Sequence, residues 1–335
     1  MKSCISFEEY VPGIAIAKSK NFINLASNEN PYGPSPKALE AFRSFSDLHK
    51  YPDPRYEELK QRIVEYTGWN FEEIAITSGI DGALETIFRF AVGEGDEVLI
   101  APPTFSYYRI LAKLSCARVV EAGRDEDFRL KNCHELVTKK TKLAIFCSPN
   151  NPTGKLEDFE EIKAVAEVIN GVVVVDEAYV EFAEKRFPCM DNVIIVRTFS
   201  KAFGLANLRV GYARIPQIYL KAFKSANTPF PISTAAEKAA IAALNDLEWM
   251  KSCVDKIKKD REKMYNFLKK YFKTYPSDAN FLLFKGGKGL HETLAEKGIL
   301  IRECSQFGLP NYYRVTVGKE EENRVFMEVL ECLLQ

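Results

Sequence analysis

Two runs of apolar residues, Val172–Val175 and Val193–Val196, stand out because neither alternates with polar positions and both soon give way to polar side chains. Runs this short, unbroken and rich in β-branched residues suit strands covered on both faces, as in a parallel sheet. Ligands of open α/β sheets gather beyond the carboxyl ends of such strands. That rule puts Asp176 and Tyr179 after the first run, and Ser200, Lys201 and Arg209 after the second, where chemistry is usually done. An acid, a phenol, a lysine and an arginine meeting there suit an electron-poor ring that bears a phosphate.

The rest of the pattern extends this picture. Residues 1–30 read as an irregular arm ending in N-L-A-S-N-E-N-P, whose Asn and Pro favour turns. Ser35-Pro36 supplies a cap and a first-turn proline for a helix carrying Leu39, Phe42 and Phe45. After the loop K-Y-P-D-P-R-Y, the residues Leu59, Ile63 and Tyr66 mark a second helical face. From Ile74, strand-like pieces (I-A-I-T, E-V-L-I, Ala117–Glu121, L-A-I-F-C) alternate with helical ones, the last being Leu156–Ile169. Such alternation predicts βα units and a mainly parallel sheet. The texture changes beyond Arg214: two prolines fall within 228–233, and a long amphipathic helix runs from about Asp246 to Phe272. Strand candidates Phe281–Phe284, Ile299–Arg302 and Tyr312–Val317 follow, then a helix over Glu320–Leu334. The expectation is an α/β chain with an arm over 1–30, a large domain over 31–230, and a smaller α+β domain over 231–335 packed with part of the arm.

Composition narrows the function. A chain of 335 residues buries roughly 75% of its unfolded surface and has room for about two domains. Lys plus Arg and Asp plus Glu both number 46, so no overall field favours nucleic acid or an anionic membrane. Eight cysteines are scattered with no C-x-x-C pair and no metal-ligand spacing, so reduced thiols in a cytoplasm and no metal site are expected. The first residues lack a signal peptide's apolar core, and no apolar run approaches the ~20 residues of a membrane span.

Single motifs leave several chemistries open. V-V-V-V-D-E also matches the acidic strand end of ATPases, but no phosphate loop accompanies it; Gly154-Lys155 and Gly287-Lys288 lack the Ser or Thr that should follow. G-x-G-x-x-G is absent as well, which weakens a nicotinamide enzyme. Asp176 alone could be a strand-end cap, and Ser200-Lys201 a hydrolase pair, though no G-x-S-x-G elbow is present. A lysine directly after a buried strand is less ordinary, because desolvation lowers its pKa and frees a nucleophilic amine.

Together the motifs say more. S-P-N-N-P-T-G, D-E-A-Y, S-K-A-F-G-L-A-N-L-R-V-G-Y and Y-Y-R-V-T-V-G resemble those of the pyridoxal-phosphate aminotransferases of the aspartate aminotransferase fold, from about Asn24 to Val317. Within that group, N-L-A-S-N-E-N-P, K-Y-P-D-P, P-P-T-F-S-Y-Y and T-F-S-K-A-F look most like the histidinol-phosphate aminotransferases. The resemblance implies fold type I with pyridoxal 5'-phosphate as cofactor. Lys201 would hold the cofactor and shuttle a proton, and Asp176 would pair with the pyridine nitrogen. At ~3 Å and an effective dielectric near 20, that pairing gives on the order of 5 kcal/mol. Tyr179 and Asn151 would donate to the ring oxygen, Ala178 would let the ring lie flat, and Tyr108 would stack on its other face.

For the phosphate, the resemblance implies the turn Ile80-Asp81-Gly82 after Gly79, together with Ser200 and Arg209; free N–H groups at a helix start bind anions. Tyr51 would reach the phosphate in a second subunit, implying a homodimer with shared sites. Arg314 and Arg302 would grip substrate anions, and Tyr10 and Asn30 would touch substrate from the arm. Two departures are noted: Asn207 stands where the family usually has Gly, and Ile80-Asp81-Gly82 where it usually has S-D-E. The implied reaction is L-histidinol phosphate plus 2-oxoglutarate giving imidazole-acetol phosphate plus glutamate, in histidine biosynthesis. An aromatic or broad-specificity aminotransferase, a threonine-phosphate decarboxylase, a β-eliminating lyase and a non-catalytic cofactor-binding regulator remain compatible with the same residues.

Overall fold

The computed structural model describes residues 22–335; Tyr10 and most of the expected arm lie outside them. In chain order the strands are β1 (Ile23–Asn24), β2 (Ile74–Ser78), β3 (Glu97–Ile100), β4 (Arg118–Glu121), β5 (Thr141–Cys147), β6 (Val172–Asp176), β7 (Val193–Thr198), β8 (Val210–Arg214), β9 (Lys273–Tyr275), β10 (Phe281–Lys285), β11 (Ile299–Leu300), β12 (Arg302–Glu303) and β13 (Tyr312–Thr316). Seven of them form one sheet in the order β2-β8-β7-β6-β5-β3-β4. Six point the same way, and β8 runs against both neighbours. This α/β architecture is the one the apolar runs predicted.

Both faces of the central strands are covered, which is why those runs do not alternate. Val173, Val175, Val193 and Ile195 enter one apolar cluster, while Val172, Val174, Ile194 and Val196 enter another on the opposite face. Fully burying each such side chain contributes roughly 1.5–3 kcal/mol. Polar residues appear only toward the carboxyl ends of these two strands, where Asp176, Glu177, Thr198 and Ser200 are themselves buried.

A second sheet, in the order β12-β13-β10-β9, is wholly antiparallel. The expected strand Ile299–Arg302 is divided between two sheets: β11 pairs in parallel with β1, whereas β12 pairs with β13. Ile301 between them is buried and makes the crossing. The helix expected over Leu156–Ile169 is shorter, Phe159–Val168. Asp158 caps it by accepting from Glu160 N at 3.0 Å, while Leu156 N donates to Asp278 instead. Ser35 caps the helix Pro36–Arg43 as expected, accepting from Ala38 N at 3.1 Å.

Cys133, Cys147, Cys253 and Cys304 are free and buried, and Cys189 and Cys332 free and exposed. Cys116 is disulfide-bonded, which corrects the expectation of reduced thiols throughout. Among the described residues there is no group of three or more His, Cys, Asp or Glu able to hold a metal. None of the described helices is long and apolar enough to cross a membrane.

Candidate active site

The carboxyl ends of β2, β5, β6 and β7 open on a cavity of about 770 Å³, closed on its far side by β12 and β13. Asp176 is the last residue of β6, and Lys201 lies three residues beyond the end of β7. Both line this one cavity, as do Asn151, Ala178, Tyr179, Ser200, Arg209, Arg302 and Arg314. Residues far apart in sequence are thus brought together by strand order alone.

Asp176 is buried at the closed end. Its Oδ1 accepts from Ala178 N at 3.0 Å and its Oδ2 from the Tyr108 hydroxyl at 2.6 Å. Burial pushes the carboxyl up to about 6, opposed by those two hydrogen bonds. Among the described residues it has no cationic partner within ion-pair distance. A carboxylate taken out of water without a counter-charge is costly, so this acid is built to receive a cation. The turn behind it is fixed by the next residue: Glu177 accepts from Arg197 Nε at 2.7 Å and from Phe187 N at 2.8 Å.

Lys201 is pushed down to about 8, first by burial, then by the nearby charge of Arg314, with Glu29 acting the other way. Its Nζ donates to Ser27 O at 3.1 Å. At neutral pH an appreciable fraction of this amine is unprotonated, about one in ten rather than the few in ten thousand of an ordinary lysine. Tyr179 accepts from Asn28 Nδ2 at 3.1 Å, which leaves its own O–H free to donate into the cavity. Burial raises its phenol above the usual range.

An anion site lies beside these groups. The helix Gly79–Ala91 has no side-chain cap at its start, so its first N–H groups are unsatisfied and its positive end is exposed to a ligand. Ile80 and Asp81 line the cavity, whereas Gly82 does not reach its wall. Arg209 donates to Asp81 Oδ2 at 2.7 Å and to Ser200 Oγ at 3.4 Å, so the acid orients the guanidinium. Gly79 has φ +67°, and a Cβ there would stand 2.9 Å from Arg209 Nη2; only glycine lets the arginine come this close. The left-handed residues of the loop that leads to β8 are Gly204, φ 70°, and Arg209 itself, φ 54°, and not Asn207.

Arg302 and Arg314 face one another as register partners on β12 and β13. Arg314 donates to Asn151 Oδ1 and, at 2.6 Å, to Ala26 O, while its Nε has no partner among the described residues.

Three expected residues sit elsewhere. Tyr108 is wholly buried, and its hydroxyl bonds Asp176 from behind, so its ring is not on the cavity wall. Phe105, three residues earlier and ahead of the helix Tyr107–Leu114, is on the wall and meets Tyr108 edge-on at 5.5 Å. P-P-T-F-S-Y-Y offers three aromatics, and the loop before the helix, not the helix, supplies the one that faces the cavity. Asn30 is buried and donates to Ala202 O at 2.8 Å, bracing the lysine loop rather than lining the cavity. Tyr51 is 83% exposed and stacks on Phe230 at 4.9 Å, away from this cavity. Sequence reasoning gave no role to Phe105, Asn28, Glu29 or Cys147, although Phe105 stands in P-P-T-F-S-Y-Y, Asn28 and Glu29 in N-L-A-S-N-E-N-P, and Cys147 at the end of L-A-I-F-C.

A parallel sheet with one reversed strand, carrying a lysine and a buried acid at one end and faced there by two arginines of the antiparallel sheet, defines an aminotransferase-type site. Residues 20–330 match the family described as Aminotransferase class I and II, and the chain belongs to that family. It is 52% identical over 316 residues to histidinol-phosphate aminotransferase 1 of Archaeoglobus fulgidus, covering 93% of this chain and 99% of that one. It is 39% identical to the histidinol-phosphate aminotransferase of Methanosarcina mazei, over 98% of this chain and 95% of the relative. Among solved structures, the histidinol-phosphate aminotransferase of Sinorhizobium meliloti, in complex with pyridoxal-5'-phosphate, superposes with a TM-score of 0.84 at 28% identity, covering 92% of this chain and 89% of that one.

Proposed function

We propose that this chain is a pyridoxal-phosphate-dependent transaminase of histidine biosynthesis, converting L-histidinol phosphate and 2-oxoglutarate to imidazole-acetol phosphate and L-glutamate. The observation that carries the reading is the buried, cation-less carboxylate of Asp176 in the same cavity as a low-pKa lysine and two facing arginines. The names of the relatives at 52% and 39% identity support the choice of substrate.

The residues present fit the cofactor. Asp176 would hold a proton on the ring nitrogen, Tyr179 and Asn151 would donate to the ring oxygen, and Ala178 and Phe105 would bracket the ring. Ser200, Arg209 and the open start of the helix at Gly79 would take the phosphate. Bound there, the cofactor supplies an electron sink for the carbon that loses its proton. Lys201 Nζ, as a neutral amine, would take that proton from the substrate carbon and give it back two atoms away, across the nitrogen. Arg314 and Arg302 orient the substrate through its anionic end, the donor's phosphate in one half-reaction and a carboxylate of the acceptor in the other.

The same reading includes a large domain over 31–230, a small one over 231–335, and a homodimer. The exposed Leu48, Tyr51 and Phe230 support a second subunit covering that face. Placement in the cytoplasm goes with a biosynthetic enzyme of this kind. The deciding experiment is a panel of half-reactions, in which single amines are added to the cofactor-loaded protein and its absorption band is followed. Histidinol phosphate is expected to shift the band fastest; rapid conversion by phenylalanine or tyrosine with none by histidinol phosphate would transfer the assignment to an aromatic aminotransferase.

A further inference from the structure

Short loop 26–30 is tied down at nearly every residue. Arg314 holds Ala26 O, Lys201 holds Ser27 O, and Asn280 holds Asn28 O at 3.0 Å. Asn28 also exchanges hydrogen bonds with Thr316 and donates to the Tyr179 hydroxyl, and Asn30 is fastened to Ala202. Asn28 and Asn30 are buried, and Glu29 between them projects outward onto the cavity wall. Among the described residues its carboxylate makes no hydrogen bond or ion pair, although every neighbour does. The other two acids on this wall are occupied: Asp81 by Arg209, and Asp176 by Tyr108 and Ala178.

The geometry points to Glu29 as the residue that recognises the imidazole ring of the amino donor, an inference that rests on the substrate reading above. Histidinol phosphate has three polar groups. Its phosphate belongs with Arg302 and Arg314, its amine must approach Lys201, and its ring N–H then needs an acceptor on the remaining wall. Glu29 supplies one, close enough to Lys201 for its charge to act on that amine. An imidazole titrates near pH 6.5, so below that value the contact is an ion pair and above it a hydrogen bond to a charged acceptor. A phenyl or phenol ring in the same place leaves the carboxylate covered and unpaired, which is the arrangement that rejects an analogue most strongly. 2-Oxoglutarate has no ring, and Glu29 repels both of its carboxylates toward the arginines, so one acid on a tied-down backbone serves both half-reactions.

The test compares Glu29→Gln and Glu29→Ala with the natural protein in two half-reactions, histidinol phosphate and glutamate, alongside calorimetric binding of histidinol phosphate. The expected result is that the ratio of kcat/KM for histidinol phosphate over that for glutamate falls about 10-fold or more at pH 6 and less at pH 8.5, with matching weakening of binding. Full cofactor loading of the variants checks that the fold is retained. Natural protein that converts histidinol phosphate while the variants keep the same ratio overturns the role of Glu29 alone. Natural protein that does not convert histidinol phosphate overturns the substrate reading and this inference with it.

Discussion

The Tyr108 hydroxyl stands 2.6 Å from Oδ2 of Asp176, with both groups buried. A neutral donor this close stabilises the carboxylate without supplying a counter-charge, and so leaves the acid available to a cationic ring. Tyr108→Phe keeps the ring and removes the donor. It is expected to cost about 1–2 kcal/mol of stability and to move the Asp176 carboxyl upward from about 6. Carbon-13 NMR titration of labelled aspartate in the cofactor-free protein reads this directly; an unchanged midpoint would show that the contact does not act on the acid.

Lys201 is expected to titrate near 8 in the cofactor-free protein. Its reaction with a small aldehyde probe should rise about tenfold per pH unit up to that point and then level off, following the neutral amine. Arg314→Gln removes the largest charge acting on it and should shift the midpoint upward. A midpoint that stays near 10 in the natural protein contradicts the desolvated setting. Lys201→Ala should lose at least ~10³-fold in kcat, since the amine is both anchor and proton carrier.

Arg302→Ala should raise KM for phosphorylated donors by roughly 30- to 100-fold, the worth of a charge-assisted contact to an anion. Cofactor affinity, measured by dialysis, should change far less. Arg314→Ala should impair both half-reactions, because Arg314 also fixes Asn151 and the segment at Ala26. Equal losses for phosphorylated and unphosphorylated amines in Arg302→Ala would remove Arg302 from phosphate binding.

Glu181 gives a pH signature separate from catalysis. Burial pushes it up to about 7, because Arg197 beside it is already engaged by Glu177. In the unfolded chain a glutamate titrates near 4.3. The folded state therefore binds the extra proton between those values, and its stabilising effect, complete below about 4, is lost as pH rises through about 7. Relative to Glu181→Gln, the natural protein should lose on the order of 3 kcal/mol between pH 4.5 and 8. Urea unfolding of both across that range checks it; parallel curves would mean that Glu181 does not hold its proton.

Phe230→Asp probes the second subunit. If a partner covers Leu48, Tyr51 and Phe230, a charge there should yield monomers by sedimentation and weaken the cofactor by about tenfold or more, since Tyr51 would no longer reach it. Unchanged mass with normal loading would place the interface elsewhere.

The candidate site was legible because the apolar runs Val172–Val175 and Val193–Val196 stop abruptly: as strands of a parallel sheet they bring the polar residues after them, still buried, to one edge. The run P-P-T-F-S-Y-Y does not tell Phe105 from Tyr108, because the helix begins only at Tyr107: Tyr108 turns into the core while Phe105, in the loop before it, reaches the cavity. The pairing of Arg302 with Arg314 is a property of β12 and β13 in register, and sequence separation carries no trace of it. Asn28 and Glu29 were hidden for a similar reason, their neighbours being up to 288 residues away.

The reversed strand β8 has one more consequence. Because it begins at the edge where β7 finishes, the chain from Phe199 to Arg209 makes a closed bight, sealed at its neck by Phe199 N bonding Val210 O at 3.0 Å. The amine that would grip the cofactor and the guanidinium that would grip its phosphate are thus spaced by a fixed count of peptides. Adding or deleting one residue in that bight would slide β8 by one pleat, turning Arg209 away and leaving the lysine where it was.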